Sequence, residues 1–239
     1  MGMQFVVFSS KRSTHHAFIE GLLKGRGYVY KNNCFLKKGG KVSSKKIISE
    51  GNKSILVASF EQGFSLSNMN NKTIYESLDM DVTKAKKIVY LRDPLNTAAS
   101  TYSIYKKVEK YEMDFVKRNL EHYCSIYNEL DKLSDFLFIY ANKFWFDASY
   151  RNEVLENIGL RDSLTSYDSE QSYFGGGGNS FFDNKENVSP DDLSSRFLRF
   201  KDDNVFYDLV VKYGLKSKAE YLAERFEDSQ MVANIKELV

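Results

Sequence analysis

One segment near the start of the chain combines residue types that could bind a phosphate-like anion. An apolar run at residues 4–8 leads into a polar turn at residues 9–14, and a helical pattern begins at His15. A buried strand that leads into a helix N-terminus suits an anion, because free backbone N–H groups and the helix dipole both favour negative charge there. Four hydroxyls and two cations in the turn could donate to such an anion: Ser9, Ser10, Ser13, Thr14, Lys11 and Arg12.

A second turn of this kind follows a later apolar run. Its sequence is Leu91-Arg92-Asp93-Pro94, and a helix that carries Ser100 comes after it. Asp93 can cap that helix, and Pro94 suits its first turn. Arg92 then lies at the carboxyl end of a strand, where open α/β sheets bind ligands, and its planar guanidinium suits a terminal phosphate. The alternative is a surface pair of Arg92 and Asp93 beside an ordinary helix start.

The order of strand and helix patterns predicts the fold class. Short, continuous apolar runs are typical of strands that are buried on both faces of a parallel sheet. Such runs lie at residues 4–8, 54–60, 87–91 and 136–140, and residues 28–35 add a fifth, peripheral strand. Helical patterns lie between them at residues 14–26, 94–111 and 114–133. This alternation predicts an α/β fold with three layers, αβα, around a central parallel sheet of four to five strands.

The remaining segments are predicted to form helices and loops around this sheet. They are a solvated loop with one helical turn at 37–53, a short helix at 151–158 closed by Gly159, a long loop at 161–189, a helix that begins at Ser189 and Pro190, and two helices at about 203–213 and 216–230.

Length and composition limit the classes of protein that fit. The 239 residues suit a single domain over 1–239, and the net charge of +2 makes nucleic acid an unexpected partner. No apolar stretch has the length of a membrane span. The two cysteines lack the spacing of metal ligands, and the N-terminus lacks the pattern of a signal peptide, so we expect a cytoplasmic protein. The composition makes no prediction of the oligomeric state.

The two turns together resemble the sulfotransferase family, whose sulfuryl donor is 3′-phosphoadenosine 5′-phosphosulfate. In that family a turn of the type Arg-Ser-Gly-Thr-His-Ala-Leu holds the phosphosulfate, and residues 12–18, Arg-Ser-Thr-His-His-Ala-Phe, look similar to it. The family motif Val-Arg-Asp-Pro, with a serine eight residues after the arginine, binds the 3′-phosphate. Arg92 and Ser100 match these two positions. This chain departs from the family where it has Thr14 in place of glycine and His15 in place of the next hydroxyl.

A later segment also resembles the family. Residues 176–181 are similar to its Gly-Gly-Gly-Ser-Ser-Phe loop, and a helical segment with Arg196 and Arg199 follows. The resemblance implies a P-loop nucleotide-hydrolase-like fold. It also implies that the donor is bound by residues from all three segments: Lys11, Arg12, Ser13, Thr14, His15, Arg92, Ser100, Gly178, Asn179, Ser180 and Arg196. The glycine run could close as a lid over the nucleotide, and the alternative is an ordinary connecting loop.

Sulfuryl transfer requires a base for the acceptor hydroxyl and cations for the leaving phosphate. Lys11 and Arg12 suit the leaving phosphate. Glu61 follows the strand at 54–60, and the resemblance implies that a glutamate or histidine there is the catalytic base. The alternative for Glu61 is a solvated carboxylate at a strand end. His15 and His16 are rival bases, although the helix dipole disfavours an imidazolium, so one of them is better suited to donate a hydrogen bond to the sulfate or the acceptor.

The resemblance implies a cytoplasmic sulfotransferase that modifies the hydroxyl of a sugar or another small molecule. Sulfuryl transfer needs no metal, and none is predicted. Two alternatives stay open. One is a non-catalytic module that binds a polyanion or nucleotide on the same fold, and the other is a divergent ATP-dependent kinase. The kinase is disfavoured because the sequence lacks a Gly-x-x-x-x-Gly-Lys-Ser/Thr turn. Trp145 could stack on adenine, but core packing is favoured.

Overall fold

The computed structural model describes residues 2–11, 14–37, 40–61, 65–66, 68, 71–108, 111–132, 134–160 and 194–238. The strands in these ranges are β1 (Met3–Ser9), β2 (Tyr28–Leu36), β3 (Val42–Glu50), β4 (Ile55–Phe60), β5 (Lys86–Leu91) and β6 (Leu137–Tyr140). The α-helices are α1 (His15–Leu23), α2 (Lys72–Ser77), α3 (Pro94–Lys107), α4 (Met113–Glu129), α5 (Ala141–Phe146), α6 (Ala148–Ile158), α7 (Asn204–Lys212), α8 (Leu215–Arg225) and α9 (Ser229–Lys236). Two 3₁₀ turns are Leu130–Lys132 and Arg196–Phe200.

A six-stranded sheet forms the middle layer, with the strand order β3-β2-β4-β1-β5-β6. All neighbouring strands pair in parallel except β2 and β3, which form an antiparallel hairpin. The expected α/β class is therefore confirmed, and the sheet has one strand more than the four to five predicted. Strand β1 lies in the interior between β4 and β5, so the turn after β1 is flanked by a strand end on each side.

Helices cover both faces of this sheet, which explains the continuous apolar runs. Phe5 and Val7 of β1 pack in a core with α1, α5 and α6 on one face. Val6 and Phe8 pack in a second core with α2 and α4 on the other face. All four side chains are buried. Because successive side chains of a strand point to opposite faces, a strand between two helical layers needs apolar residues at every position.

A third core lies outside the sheet and joins α3 and α4 to the three C-terminal helices. The 3₁₀ turn Arg196–Phe200 packs on α3 at the same place, where Phe197 is fully buried. Asn96 in the first turn of α3 holds this contact. Its side-chain amide donates to the backbone carbonyl of Ser194 at 2.7 Å, and its carbonyl accepts from the backbone N–H of Phe197 at 3.3 Å.

The prediction of a solvated loop at 37–53 is wrong, because residues 42–50 form the edge strand β3. Its lysines and serines obscured the strand pattern, yet polar and charged side chains are common on edge strands, where they discourage pairing with another chain. Strand β2, predicted to be peripheral, lies next to this edge strand, between β3 and β4. Its buried residues alternate with partly exposed ones along most of its length.

The helix ends differ in several places from the sequence pattern. The single helix predicted at about 216–230 is two helices, because the chain turns at Glu227, where φ is +52°, and Asp228 caps α9. Helix α3 ends at Lys107 rather than at residue 111. Helix α6 ends at Gly159 as predicted. The predicted helix start at Ser189 and Pro190 lies outside the described residues. None of the described helices has the length and hydropathy needed to cross a bilayer.

Replacement of Asn96 by alanine should lower the free energy of unfolding by about 1–3 kcal/mol, because two buried backbone groups would lose their partner. Urea denaturation followed by circular dichroism measures the change. Asn152→Ala on the exposed face of α6 is the matched control and should change stability by less than about 0.5 kcal/mol. Equal stability of the two variants would contradict the role given to Asn96.

Candidate functional site

Three parallel strands bring the predicted site residues to one edge of the sheet. Phe8 of β1 is paired with Phe60 of β4, and Ser9 is paired with Tyr90 of β5. Glu61 and Arg92 therefore leave the sheet on either side of the end of β1. Neighbouring strands are about 4.8 Å apart, so the backbones at Glu61 and Arg92 are separated by about 10 Å, with the end of β1 between them.

Buried hydroxyls collect at the ends of β1 and β5. Ser9 and Ser10 follow one another at the end of β1, and Thr97 lies in the first turn of α3. All three are at most 1% exposed, and their hydroxyl oxygens have no hydrogen-bond partner among the residues that the structure describes. Buried hydroxyls are almost always hydrogen-bonded, so three such groups beside two strand ends mark a place suited to a polar ligand.

Thr14 adopts a backbone conformation that favours glycine. Its φ is +67°, in the left-handed region, where a β-branched side chain is strained by about 1–3 kcal/mol. This is the position where the sequence has threonine in place of the glycine of the sulfotransferase motif, and its backbone is one that glycine adopts without strain. The Thr14 hydroxyl accepts a hydrogen bond from the indole N–H of Trp145 at 3.2 Å and lies 3.1 Å from the Tyr90 hydroxyl. These contacts hold the strained residue, and they make Trp145 part of the support of the turn.

Lys11 is the described cation of this turn, since Arg12 and Ser13 lie outside the described residues. The Lys11 ammonium is half-buried and lies 5.5 Å from the centre of the Phe115 ring. Burial lowers the pKa of Lys11, the Glu61 carboxylate acts to raise it, and Lys45 and Arg118 lower it further. The ammonium therefore lies within electrostatic reach of one carboxylate and two other cations.

Arg92 and Asp93 form a buried pair at the end of β5. Arg92 is 3% exposed, Asp93 is fully buried, and Arg92 Nε lies 3.8 Å from Asp93 Oδ2. This burial excludes the alternative of a surface pair. Asp93 Oδ1 accepts the backbone N–H of Asn96 at 2.7 Å, which confirms the predicted helix cap. Burial raises the pKa of Asp93, and the charge of Arg92 opposes that effect. The Tyr123 hydroxyl donates to the Arg92 carbonyl at 2.8 Å and fixes the turn.

Two other residues of the expected donor site lie along α3. Ser100 is buried in this helix, and Arg196 is buried in the 3₁₀ turn that packs on it. Since the next residue, Phe197, bonds to Asn96, Arg196 returns to the beginning of α3 after the long segment in between. Arg199 is exposed, which favours Arg196 of the two arginines considered. Gly178, Asn179 and Ser180 lie outside the described residues.

A carboxylate and two imidazoles form a compact cluster on the other side of the turn. Nε2 of His15 lies 3.1 Å from Glu61 Oε1, and Nε2 of His16 lies 2.9 Å from the same oxygen. Glu61 is only 7% exposed, so the alternative of a solvated carboxylate is wrong. Burial acts to raise the pKa of the Glu61 carboxyl, but the attraction of His15 and hydrogen bonds from both imidazoles outweigh it. The pKa is therefore held well below its usual range.

Polar residues of the sheet support this cluster and were not singled out from the sequence. Asn32 Oδ1 lies 3.3 Å from His16 Nε2 and also accepts from the Tyr30 hydroxyl at 3.1 Å. The Tyr30 hydroxyl lies 2.9 Å from the Ser59 hydroxyl. The one available signal was Asn32 itself, a buried polar residue within a strand, but two of its partners, His16 of α1 and Ser59 of β4, are distant in sequence.

The same cluster offers three ligand atoms of the type that binds a transition metal. The two histidine nitrogens and a Glu61 oxygen all lie within 4.8 Å of one another. Imidazole and carboxylate suit zinc and related ions. In the arrangement that the structure describes, hydrogen bonds between these groups satisfy them directly. The expectation that the reaction needs no metal stays a prediction.

Replacement of Thr14 by valine should lower the free energy of unfolding by about 1–3 kcal/mol, because valine keeps the shape and loses the hydroxyl that accepts from Trp145. Thr14→Ser keeps the hydroxyl and removes the β-branch, so this control should be as stable as the wild type. Chemical denaturation of the three proteins under one buffer condition measures both effects. A serine variant as unstable as the valine variant would show that the hydroxyl does not hold the turn.

No protein-family model and no curated protein matches the sequence. Solved structures do match. One is a mouse sulfotransferase, SULT7A1, complexed with PAP, with a TM-score of 0.43 and 15% identity over 87% of this chain and 88% of that chain. Another is the sulfotransferase domain from the curacin biosynthetic pathway, with a TM-score of 0.41 and 13% identity over 95% and 98% of the two chains. These solved structures that the chain resembles are sulfotransferases, and at such identities the likeness assigns neither an activity nor a residue role.

Proposed function

We propose that this protein is a sulfotransferase that moves a sulfuryl group from 3′-phosphoadenosine 5′-phosphosulfate to the hydroxyl of a small molecule or carbohydrate. One observation carries the proposal: the hydroxyls of Ser9, Ser10 and Thr97 are buried without a described partner at the two strand ends where the sulfotransferase motifs lie. A ligand with two separate anionic groups would satisfy both places, and the donor carries a phosphosulfate on the 5′ carbon and a phosphate on the 3′ carbon of its ribose.

The proposed donor site uses the residues that the family resemblance assigns. Arg92 and Ser100 bind the 3′-phosphate, and the turn at residues 11–14 holds the phosphosulfate. Arg196 adds a cation from the 3₁₀ turn that packs on α3. The resemblance adds Gly178, Asn179 and Ser180 to the donor-binding residues, and these three lie outside the described residues. His15 can meet the donor only through Nδ1, because its Nε2 is bonded to Glu61.

The proposed chemistry places a base and two cations around the sulfur. Lys11 and Arg12 stabilise the charge that grows on the leaving phosphate. The cluster of Glu61, His15 and His16 removes the proton of the acceptor hydroxyl. Both groups lie beside the end of β1, so an acceptor that reaches the cluster also reaches the expected position of the phosphosulfate. The acceptor enters from the side of β2 and β4, where the cluster lies.

Adenosine 3′,5′-bisphosphate should stabilise the protein against heat without magnesium. At a concentration 100-fold above its Kd the gain is about 2.7 kcal/mol, which raises the Tm of a chain of this length by about 5–10 °C. Differential scanning calorimetry measures the shift, with adenosine 5′-monophosphate as a control that lacks the 3′-phosphate. Stabilisation by ATP with magnesium, and none by the bisphosphate, would favour the kinase alternative instead.

Arg92→Lys should weaken the binding of adenosine 3′,5′-bisphosphate by about tenfold or more, because lysine cannot reproduce the bidentate contact of a guanidinium with a phosphate. Ser100→Ala should weaken it by about three- to tenfold through the loss of one hydroxyl. Isothermal titration calorimetry measures the affinity of both variants. Arg199→Lys is the matched control, because Arg199 is an exposed arginine of the 3₁₀ turn Arg196–Phe200. Unchanged affinity in a folded Arg92→Lys protein would place the 3′-phosphate elsewhere.

Transfer itself is tested with ³⁵S-labelled donor and a panel of cell-extract fractions. We expect the label to appear on a small molecule or carbohydrate in at least one fraction. Binding of the bisphosphate without transfer to any fraction would favour the non-catalytic module on the same fold.

A further inference from the structure

We propose that His16 is the general base of this site, that its Nδ1 takes the proton of the acceptor, and that Glu61 is a positioning residue that holds the opposite side of the ring. This inference deepens the proposed function and rests on it. It reverses the order of preference between these two residues that the sequence suggested, and three features of the cluster carry it.

The first feature is the way in which the carboxylate is occupied. Oε1 of Glu61 is in contact with both imidazoles, at 3.1 Å from Nε2 of His15 and 2.9 Å from Nε2 of His16. Glu61 is 7% exposed. An ionised carboxylate only accepts hydrogen bonds, so each Nε2 that faces it carries a hydrogen. A carboxylate that is buried and already holds two donors binds a further proton weakly. It therefore suits the stabilisation of a cation better than the removal of a proton.

The second feature is the tautomer that follows. A neutral imidazole carries one N–H, and in His16 this N–H is on Nε2, because that nitrogen faces Glu61 Oε1 at 2.9 Å and Asn32 Oδ1 at 3.3 Å. The lone pair is then on Nδ1. Rotation of the ring by half a turn would put Cε1 in the place of Nε2 and leave both oxygens without an N–H donor, so Asn32, fixed by Tyr30 and Ser59, keeps the ring in place.

The third feature separates the two histidines. The side chain of His15 is 3% exposed and that of His16 is 15% exposed. Burial, together with the neighbouring His16, lowers the pKa of His15, although Glu61 acts in the opposite direction. The two ring centres are 4.1 Å apart, so two imidazolium charges would repel strongly. Of the two imidazoles, His16 is the one that an acceptor can reach.

The acceptor oxygen forms a bond to sulfur while the bond from sulfur to the phosphate oxygen of the donor breaks. The electron pair of that bond stays on the leaving phosphate, beside Lys11 in the proposed site. The hydroxyl proton moves to Nδ1 of His16, and the carboxylate of Glu61 stabilises the imidazolium through its Nε2–H. The products are a sulfate ester and adenosine 3′,5′-bisphosphate, and the proton later leaves His16 to solvent.

The charged and titratable groups around His16 come from three elements. Glu61 faces it from the end of β4, His15 precedes it on α1, and the Lys11 ammonium from the turn after β1 lies within electrostatic reach of the same carboxylate. Asn32 of β2 is the uncharged contact. Of these groups, Glu61 alone carries a negative charge, so Glu61 is the group that faces the ring with a charge opposite to that of an imidazolium.

The test compares His16→Gln, Glu61→Gln and Glu61→Asp with Glu153→Gln, an exposed carboxylate of α6 that serves as the matched control. The assay is the conversion of labelled donor by the fraction that accepts sulfate. We expect His16→Gln to lower kcat by about 10²- to 10⁴-fold, with the Kd of adenosine 3′,5′-bisphosphate unchanged within about twofold. Glu61→Gln should lower kcat less than His16→Gln does. Glu61→Asp should restore part of the rate.

A direct measurement needs no acceptor. The chain contains three histidines, so ¹⁵N-histidine labelling with two-dimensional NMR resolves the tautomer of each ring. We expect His16 in the Nε2–H form in the wild type, and a mixture of tautomers in Glu61→Gln. An Nδ1–H form of His16 in the wild type would overturn the inference.

The kinetic outcomes that overturn the inference differ from those that overturn the proposed function. A His16→Gln protein that keeps a tenth or more of kcat, together with a Glu61→Gln protein that has none, would make Glu61 the base. Activity that a chelator abolishes and zinc restores would make the cluster a metal site. Wild-type protein that binds the bisphosphate and transfers no sulfuryl group would instead remove the proposed function, and this inference with it.

Discussion

The buried carboxylate of Glu61 is the group on which the arrangement of the site depends. A carboxylate with so little contact with water requires hydrogen-bond donors, and the first two residues of α1 supply them. That requirement fixes where α1 begins and how it is rotated relative to the end of β4. The turn that precedes the helix is positioned as a consequence, because it must span the distance between the end of β1 and a helix whose first turn is held by Glu61.

A second buried polar network fixes the start of a helix on the other side of β1. Asp93 caps α3. The Asn96 side chain forms hydrogen bonds with Asp93, with the carbonyl of Ser194 and with the backbone N–H of Phe197. Segments that are about 100 residues apart are thereby held against one helix start. Both networks are largely buried, and each joins a strand end to a helix. Polar contacts of this kind specify geometry more than they add stability, since their desolvation offsets much of the attraction.

The sequence was sufficient for the layers and for the positions of the strand ends, because continuous apolar runs and helix caps are local patterns. Asp93 and Pro94 predicted the start of α3 for this reason. Strand β3 was missed because an exposed edge tolerates the lysines that elsewhere indicate a loop. The partners of Glu61 could be named as rivals for one role, but their common contact could not be predicted. It depends on the register of β4 and the rotation of α1, which only the assembled sheet determines.

Thr14 has a consequence for the energetics of ligand capture. Glycine at a left-handed position brings freedom that must be given up when a ligand orders the loop. Threonine restricts the unfolded chain more, and its hydroxyl is already engaged by Trp145 and lies beside Tyr90. The conformational entropy of this residue is therefore lost when the chain folds, and not when a ligand binds. In the proposed donor site, a nucleotide would meet a preorganised residue at this turn, and more of its contact energy would be expressed as affinity.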